Sequence, residues 1–230
     1  MYKYVFLDLD DTIWDFKGNA KAALREAYYT LKIDQDFNDF EHFFSIYIEH
    51  NDKLWDLYGT GQITREHLMK ERFLYPLLQV GITNDDLPMR ISELYMQVLP
   101  MQPNLVAYAR DLLDYLFAKY PLTIISNGFT ETQYKKLRNT QIEQYFKHVV
   151  LSETVKSLKP DKKIFEHALH LNNALPEEAV MIGDIFQADI IGAQNAGIDQ
   201  IFYNWRKYKF KEGEKATYMV DSLKDIFDIL

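Results

Sequence analysis

Acidic residues directly follow a short apolar run at the start of the chain. Residues 4–7 lead into the motif DLDDT, which contains Asp8, Asp10 and Thr12. Carboxylates placed close together repel one another unless a cation or shared protons relieve the repulsion. Their oxygens suit a hard cation such as Mg²⁺, which binds one or two carboxylates together with a phosphate. The motif therefore predicts metal-assisted chemistry on an anionic group.

Further polar groups follow or flank later apolar runs. They are Ser126, Asn127 and Gly128 after residues 122–125, Lys159 in front of Pro160, and Gly183 and Asp184 after residues 179–182, with Asp189 five residues beyond Asp184. Ser126 offers a hydroxyl donor, and the backbone N–H groups of the next two residues would cradle an oxyanion. Lys159 supplies the cation that the acidic motif lacks. Together these groups predict a site for a phosphate and a divalent metal.

The elements that must position these residues are short strands. Six apolar runs are too short for helices and rich in β-branched or aromatic residues. They are residues 4–7, 122–125, 149–151, 179–182, 200–203 and 218–220. Runs that are apolar on both faces belong to a parallel sheet covered by helices. Because ligands bind at the carboxyl ends of such strands, the polar groups are expected to meet at one edge of a doubly wound α/β sheet.

Helical periodicity lies between the later strands. Apolar residues from Leu105 to Leu116 recur every three or four positions, and Pro121 ends that helix before the next strand. Pro160 and Asp161 are typical of a helix start. A further helix after Asp184 is expected to end at Gly197. Alternating strands and helices predict right-handed βαβ units.

The first strand is followed by a long helical stretch. Helices are predicted at residues 20–31, 40–57, 64–78 and 87–99, with breaks at Gly59–Gly61 and Gly81. A single βαβ crossover needs far fewer residues, so we predict an inserted helical domain over residues 17–99 and a catalytic core of residues 1–16 and 100–230. Most aromatic residues of the insertion are expected in its own core. Trp14 and Phe16 are expected to line the entrance to the site.

Composition sets broad limits on function. The 230 residues are 47% hydrophobic and suit one core with a small inserted domain. The net charge of −8 disfavours a nucleic acid polymer as partner, although a local cation can still bind a small phosphate. The absence of cysteine excludes disulfides and thiolate chemistry. No signal peptide or apolar span of membrane length is apparent, so we expect a cytoplasmic protein with no membrane partner.

The order of these motifs resembles that of the haloacid dehalogenase-like (HAD) hydrolase superfamily. DLDDT resembles motif I, IISNG motif II, Lys159 in LKPD motif III, and GDIFQAD motif IV. An insertion between motifs I and II is the C1 type of cap, and the remainder would form the Rossmann-like HAD core. DDTIWDF and residues 181–199 most resemble the YjjG/YfnB branch, which includes nucleoside 5′-monophosphatases. The resemblance implies a Mg²⁺-dependent phosphatase.

The resemblance also implies a role for each acidic residue. Asp8 would attack phosphorus and form an aspartyl-phosphate, which splits one difficult displacement into two easier ones. Asp10 would protonate the leaving oxygen and later take a proton from water. Asp8, the backbone carbonyl of Asp10 and Asp184 would bind Mg²⁺.

The other motif residues would bind phosphate or support the site. Ser126 and Lys159 would hold the phosphoryl oxygens, helped by the Asn127 amide, and Lys159 would also take part in catalysis. Gly128 and Gly183 would serve as supporting residues. Asp189 would orient Lys159 or a metal-bound water. Thr12 would fix the catalytic loop and Asp10 by hydrogen bonding, whereas the role of Asp11 is left open.

Several other functions remain compatible with part of this pattern. A sugar-phosphate phosphatase or a phosphomutase would use the same four motifs. A 2-haloacid dehalogenase would need Asp8 but neither an acid at Asp10 nor Mg²⁺. A receiver domain also surrounds Mg²⁺ with acidic residues, a Ser or Thr and a Lys, but it is shorter and uncapped. We therefore expect a small phosphomonoester as substrate, with a nucleoside 5′-monophosphate favoured.

Overall fold

The computed structural model describes residues 2–230 and divides the chain into two compact units. One unit comprises Met1–Asp15 and Asn104–Leu230, and the other comprises Phe16–Pro103. Among the described residues, no helix is both long and apolar enough to cross a membrane.

The first unit is built on one six-stranded sheet. Its strands are β1 (Tyr4–Leu7), β2 (Leu122–Ser126), β3 (Phe146–Leu151), β4 (Ala179–Gly183), β5 (Asp199–Tyr203) and β6 (Tyr218–Val220). All neighbouring strands are parallel, in the order β3-β2-β1-β4-β5-β6. The predicted doubly wound parallel sheet is therefore confirmed, and each predicted strand matches an observed one to within three residues.

The strand order places the polar motifs beside one another. β1 is paired with β2 on one side and with β4 on the other, so the winding reverses at β1. Leu7 is level with Ile124 of β2 and with Ile182 of β4. The backbone N–H of Asp8 donates to the carbonyl of Ile182, which extends the ladder one residue beyond β1. The loops after β1, β2 and β4 therefore begin at the switch point where ligands of such sheets bind.

The second unit, all of whose residues are described, contains four α-helices. They are α1 (Phe16–Thr30), α2 (Phe40–Gly59), α3 (Arg65–Gln79) and α4 (Leu87–Val98). Asp39 caps α2 and Thr64 caps α3. Each side chain accepts a backbone N–H of the first turn, which has no partner within the helix. Gly81 has a positive φ, as the turn between α3 and α4 requires. All four predicted helices are present.

Aromatic side chains fill the interior of this helical unit. Tyr28, Phe43, Tyr47, Phe73 and Tyr95 are all fully buried. The ring of Tyr47 stacks on that of Phe73, and the Tyr47 hydroxyl donates to that of Tyr95 at 2.8 Å. A buried phenol with a hydrogen-bond partner avoids the cost of an unpaired polar group. Most of the aromatic residues expected in the unit's own core lie there.

Five α-helices flank the strands of the first unit. They are α5 (Ala109–Phe117), α6 (Thr130–Asn139), α7 (Ser152–Val155), α8 (Lys162–Asn172) and α9 (Ile191–Asn195). A π-helical turn, Phe186–Ile190, precedes α9. Short 3₁₀ turns across the chain are Ile33–Gln35, Leu99–Met101, Glu143–Tyr145, Pro176–Glu178 and Leu223–Asp228.

Two helix predictions differ from the structure. The helix predicted from Leu105 starts only at Ala109, because Leu105 instead forms a β-bridge with Trp14. The helix predicted to start at Pro160 starts at Lys162, since the Asp161 side chain accepts the N–H of Lys163 and caps it. Periodicity located both helices, whereas local hydrogen bonds set their first residues.

Close packing fixes α8 and α9 on the sheet. Phe6 and Met181, from neighbouring strands, pack in one cluster with Phe165 of α8. A Cβ at Gly192 of α9 would lie 2.5 Å from the Phe165 ring, so only glycine fits there. This packing holds the segment between β4 and β5, and with it the motif that follows β4.

Candidate active site

A buried lysine holds the carboxylate that follows β1. Lys159 Nζ lies 2.6 Å from Oδ1 of Asp8 and 2.6 Å from Oδ1 of Asp189, and it donates to the carbonyl of Ile125 at 2.9 Å. The Lys159 side chain is 3% exposed and that of Asp8 is 8% exposed. An ammonium group has three N–H donors, so all three are engaged within the protein. Lys159 therefore neutralises Asp8 directly.

The loop after β2 fixes the backbone of Lys159. The Asn127 side chain accepts the Lys159 N–H through Oδ1 at 2.8 Å and donates through Nδ2 to the Lys159 carbonyl at 3.0 Å. Hydrogen bonds to both the N–H and the C=O of one residue fix the position and the orientation of its backbone. Asn127 thus orients Lys159, beyond the predicted contribution of its amide to phosphate binding.

The turn after β4 brings in Asp189. Its Oδ2 accepts the N–H of Ile185 at 2.9 Å, while its Oδ1 accepts from Lys159. A Cβ at Gly183 would lie 2.4 Å from the Asp189 carboxyl carbon. Glycine is therefore required at the end of β4, because any side chain would displace Asp189. The predicted contact between Asp189 and Lys159 is present.

Asp184 is held by groups from two other loops. Its Oδ2 accepts the indole N–H of Trp205 and the Nε–H of Arg206, both at 3.0 Å. Thr12 Oγ1 donates to its Oδ1 at 3.3 Å. Thr12 therefore contacts Asp184. The described hydrogen bonds include none between Thr12 and Asp10, the partner that was predicted.

Asp11 faces the same arginine. The Arg206 Nη2 atom lies 2.6 Å from Oδ2 of Asp11, whose backbone has a positive φ. One guanidinium thus bridges Asp11 and Asp184, which planar, forked donors do well. The sequence assigned no role to Asp11, and in the structure its carboxylate contacts Arg206.

Asp10 is held by helix α6. Lys136 Nζ lies 2.5 Å from Oδ1 of Asp10, and Gln133 Nε2 donates to Oδ2 of Asp10 at 2.8 Å. The same Gln133 nitrogen donates to Ser126 Oγ at 2.7 Å. A Cβ at Gly128 would lie 2.2 Å from that nitrogen, so Gly128 makes room for Gln133.

Burial sets the ionisation of the acidic cluster. Burial raises the pKa of Asp8 to about 7. The charge of Lys159 lowers this pKa, whereas repulsion from Asp189 and Asp10 raises it further. Burial and the charge of Asp8 raise the pKa of Asp184 to about 6, although Arg206 opposes this. Burial lowers the pKa of Lys159, but the charges of Asp189 and Asp8 outweigh it, and the pKa rises overall. Lys159 therefore remains charged.

The donor set fits a divalent cation. Asp8, Asp184 and Asp189 are buried, and each offers a carboxylate oxygen within 4.8 Å of the others. The described cations at these carboxylates are Lys159 and Arg206, and Arg206 is shared with Asp11. An excess of buried carboxylate over cation is what a hard metal ion relieves. Asp189 accepts from Lys159 and Ile185, and Asp184 accepts from Trp205, Arg206 and Thr12, whereas the described hydrogen bonds of the Asp8 carboxylate engage only Oδ1.

Sequence reasoning missed Gln133, Lys136 and Arg206. Arg206 lies three residues beyond β5, so the rule that led to the other strand ends also applies to it. Gln133 and Lys136 lie on α6 among other polar residues, and no sequence signal separates them from their exposed neighbours. Trp14, expected at the entrance, is fully buried, with Lys136 Nζ 4.3 Å from its ring centroid.

Comparison with known proteins identifies the family of this chain. Residues 2–197 match the family model of haloacid dehalogenase-like hydrolases. The chain belongs to the HAD hydrolase family. It is 31% identical to pyrimidine 5′-nucleotidase PynA of Streptococcus pneumoniae, over 100% of this chain and 95% of that protein. The predicted relation to the YjjG/YfnB branch is confirmed.

Two further HAD hydrolases are informative. Magnesium-bound HAD hydrolase YfnB of Bacillus subtilis superimposes with a TM-score of 0.89 at 30% identity, covering 100% of this chain and 98% of that one. Glyceraldehyde 3-phosphate phosphatase of Methanothermobacter thermautotrophicus is 31% identical over 100% of both chains. Phosphatase names thus recur among full-length relatives.

Proposed function

We propose that this protein is a Mg²⁺-dependent phosphomonoesterase that uses Asp8 as a covalent nucleophile and takes a nucleoside 5′-monophosphate as substrate. The observation that carries the proposal is the buried contact between Lys159 and Asp8 at the switch point of the sheet. A lysine that neutralises a buried carboxylate allows it to approach an anionic phosphate.

The reaction divides into two displacements at phosphorus. In the first, an Asp8 oxygen forms a bond to phosphorus as the bond to the leaving oxygen breaks, and the Asp10 carboxyl gives its proton to that oxygen. In the second, water attacks the aspartyl-phosphate, Asp10 takes the water proton, and the Asp8–phosphorus bond breaks to release phosphate. Among the described contacts, Lys159 engages only Oδ1 of Asp8, so Oδ2 is the oxygen we assign to attack.

We assign the metal to Asp8, Asp184 and the backbone carbonyl of Asp10. Mg²⁺ bound there would neutralise charge on the carboxylates and on the phosphoryl oxygens. Arg206, Trp205 and Thr12 orient Asp184 for this role. Groups that hydrogen-bond a metal ligand typically affect metal affinity about 10- to 100-fold.

Ser126 and Lys159 are proposed to bind the phosphoryl oxygens. Ser126 is the last residue of β2, which is paired with β1, the strand that precedes Asp8. Its Oγ accepts the N–H of Gly128 at 3.1 Å. Lys159 has its three donors engaged, so contact with a phosphoryl oxygen replaces or shares one of them. We therefore propose an electrostatic contribution from Lys159 as its main role.

Residues 17–99 are proposed to form the C1 cap that selects the substrate. Caps of this kind exclude water and complete the site when they close. The helical unit has a core of its own, which favours its movement as one body.

A triose-phosphate or sugar-phosphate phosphatase is the second candidate. The full-length relative named glyceraldehyde 3-phosphate phosphatase favours it at the same identity as PynA. A dehalogenase is disfavoured, because it would not use an acid at Asp10 or a metal ligand at Asp184. A phosphomutase would return an isomeric sugar phosphate and little free phosphate.

A substrate panel tests the proposal. Release of inorganic phosphate is measured for pyrimidine and purine nucleoside 5′-monophosphates, glyceraldehyde 3-phosphate and hexose phosphates, with Mg²⁺ or with chelator. We expect the highest kcat/KM for a nucleoside monophosphate and loss of activity in chelator. A higher kcat/KM for glyceraldehyde 3-phosphate would transfer the assignment to the second candidate. Equal rates with and without chelator would contradict the metal assignment.

A further inference from the structure

Among the buried polar residues of helix α6, Gln133 and Lys136 lie one turn apart. Gln133 is fully buried and Lys136 is 3% exposed, although α6 is otherwise strongly polar. Residues three apart lie on the same face of a helix, so both side chains point the same way. Both contact Asp10, which belongs to the loop after β1. Gln133 and Lys136 are therefore buried because they contact another segment of the chain.

The neighbouring lysine provides an internal comparison. Lys135 is 48% exposed and pairs with Glu131 one turn earlier on the same helix, which is a surface pair of little energetic value. The Lys136 side chain is 4% exposed and lies 2.5 Å from Asp10 Oδ1, with its Nζ also 4.3 Å from the Trp14 ring centroid. Adjacent lysines on one short helix thus have entirely different surroundings.

Gln133 connects Asp10 to the phosphate-binding loop. Its Nε2 has two N–H donors, one directed to Asp10 Oδ2 and one to Ser126 Oγ. These contacts suit the ionised form of Asp10, which is the form that takes the water proton in the second displacement. Against that carboxylate the opposite amide orientation would place an oxygen, and two acceptors would repel each other. Gly128 leaves the space that this side chain occupies. The Asp10 carboxyl and the Ser126 hydroxyl are consequently both within 2.8 Å of one nitrogen.

These contacts also determine what Ser126 can offer. A hydroxyl has one donor and two acceptor positions. Ser126 Oγ accepts from the Gly128 N–H at 3.1 Å and from Gln133 Nε2 at 2.7 Å. With both acceptor positions taken, the hydroxyl proton is left to be donated. Gln133 thereby makes Ser126 a donor to an anion.

We propose that Gln133 and Lys136 are positioning residues of this enzyme, which hold the two oxygens of the Asp10 carboxyl beside Ser126 at the phosphoryl site. The inference rests on the proposed function, because it gives a purpose to the alignment of Asp10 with a leaving group. Neither side chain is assigned a contact with the substrate. Each acts through a neighbour, Lys136 through Asp10 and Gln133 through Asp10 and Ser126.

The inference predicts a dependence on the leaving group. Protonation of the leaving oxygen matters most when that oxygen is a poor leaving group, such as an alkoxide, and least for a nitrophenolate. Misplacement of a catalytic group by about 1 Å costs on the order of 100-fold in rate. Loss of the Lys136 contact should therefore slow hydrolysis of an alkyl phosphate far more than that of p-nitrophenyl phosphate.

The test compares Lys136→Met with the matched control Lys135→Met in the full chain with Mg²⁺. For Lys136→Met we expect kcat for an alkyl phosphate monoester to fall about 30-fold and kcat for p-nitrophenyl phosphate to fall about threefold or less. Lys135→Met should change neither. Lys136→Arg keeps the charge and should recover a large part of the alkyl rate. Thermal melting of each variant separates these effects from loss of fold.

Equal losses on both esters in Lys136→Met would overturn the inference, because Lys136 would then act only as a general attraction for phosphate. Unchanged rates on both esters would overturn it as well. In an Asp10→Asn background, Lys136→Met should have no further effect on the ratio of the two rates. A further fall in that ratio would show that Lys136 does not act through Asp10.

Gln133→Met tests the second half of the inference. Because Ser126 would no longer be restricted to donation, KM and the inhibition constant for inorganic phosphate should each rise about fivefold, on the order of one lost hydrogen bond. Lys136→Met should leave that inhibition constant nearly unchanged. An unchanged inhibition constant in Gln133→Met would contradict the link to Ser126. If the wild-type protein hydrolyses neither ester, the proposed function fails, which is distinct from either result.

Discussion

Lys159 in the first unit and Arg72 in the helical unit are both buried, but very different groups surround them. Lys159 contacts the carboxylates of Asp8 and Asp189. Arg72 in the helical unit is 3% exposed, and its described partners are the sulfurs of Met69 and Met96 and the rings of Phe73 and Tyr95. Burial alone therefore does not mark a catalytic cation.

The difference lies in what each cation neutralises. Lys159 is surrounded by charges that repel one another, so the arrangement persists only because the cation, and a metal, offset the repulsion. Arg72 has polarisable, uncharged neighbours. Their rings make cation–π contacts with its guanidinium, and its apolar stem packs among them. We infer that the first cation serves chemistry and the second serves packing. Substitutions in both units test that inference.

The largest effect is expected at the nucleophile. Asp8→Asn keeps the size of the side chain but removes the attacking carboxylate, so kcat should fall at least about 1,000-fold. Phosphate release by purified protein measures this, with melting temperature as the check on fold. A variant that retained more than about a tenth of the activity would rule out attack by Asp8.

Loss of the active-site cation should affect both activity and stability. Lys159→Met leaves Asp8 and Asp189 without their shared partner, and breaking a buried ion pair typically costs about 3–5 kcal/mol. We expect kcat to fall about 100-fold or more, together with a lower free energy of unfolding in urea with chelator present. Wild-type stability at pH 7 in this variant would contradict the proposed neutralisation of Asp8.

The acidic cluster should also make stability depend on pH. The pKa of Asp184 is raised in the folded state to about 6, so the folded protein holds a proton that the unfolded chain has lost. This contribution is present below about pH 4 and is lost as pH rises toward 6. The test compares the free energies of unfolding of wild type and Asp184→Asn, both measured in chelator. Between pH 4 and pH 7 the wild type should lose about 1–3 kcal/mol of stability relative to the variant. A shift of the opposite sign would contradict the burial of Asp184.

The smallest effect is expected at the second cation. Arg72→Met removes the cation–π contacts but also the cost of burying a charge, so the free energy of unfolding should change by less than about 1 kcal/mol. The kcat should remain within about twofold of the wild type. A large loss of activity with an unchanged melting temperature would assign Arg72 a role in the reaction and break the comparison.

The sequence predicted the sheet well because the signal is local. Each strand is a short apolar run, and the polar residues that follow β1, β2 and β4 meet because parallel strands share one carboxyl edge. Asp189, to which the resemblance gave the role of orienting Lys159 or a metal-bound water, contacts Lys159 in the structure. The rule extends to β5, because Arg206 lies three residues beyond the end of that strand.

Contacts that depend on how a helix packs were not predictable in this way. Gln133 and Lys136 reach Asp10 because of the position of α6 beside the loop after β1, and Lys135 on the same helix does not. Thr12, which the resemblance assigned to the catalytic loop and Asp10, donates its hydroxyl to Asp184 in the structure. Spacing identifies candidate residues, whereas tertiary packing selects their partners.

The most direct test of the account is to trap the covalent intermediate. Enzyme turning over a ³²P-labelled phosphomonoester with Mg²⁺ is quenched in acid, treated or not with hydroxylamine, and digested. The account predicts a hydroxylamine-sensitive label on the peptide that contains Asp8, and no label in Asp8→Asn. Label on another residue, or rapid turnover in which a quench series never detects labelled protein, would contradict it.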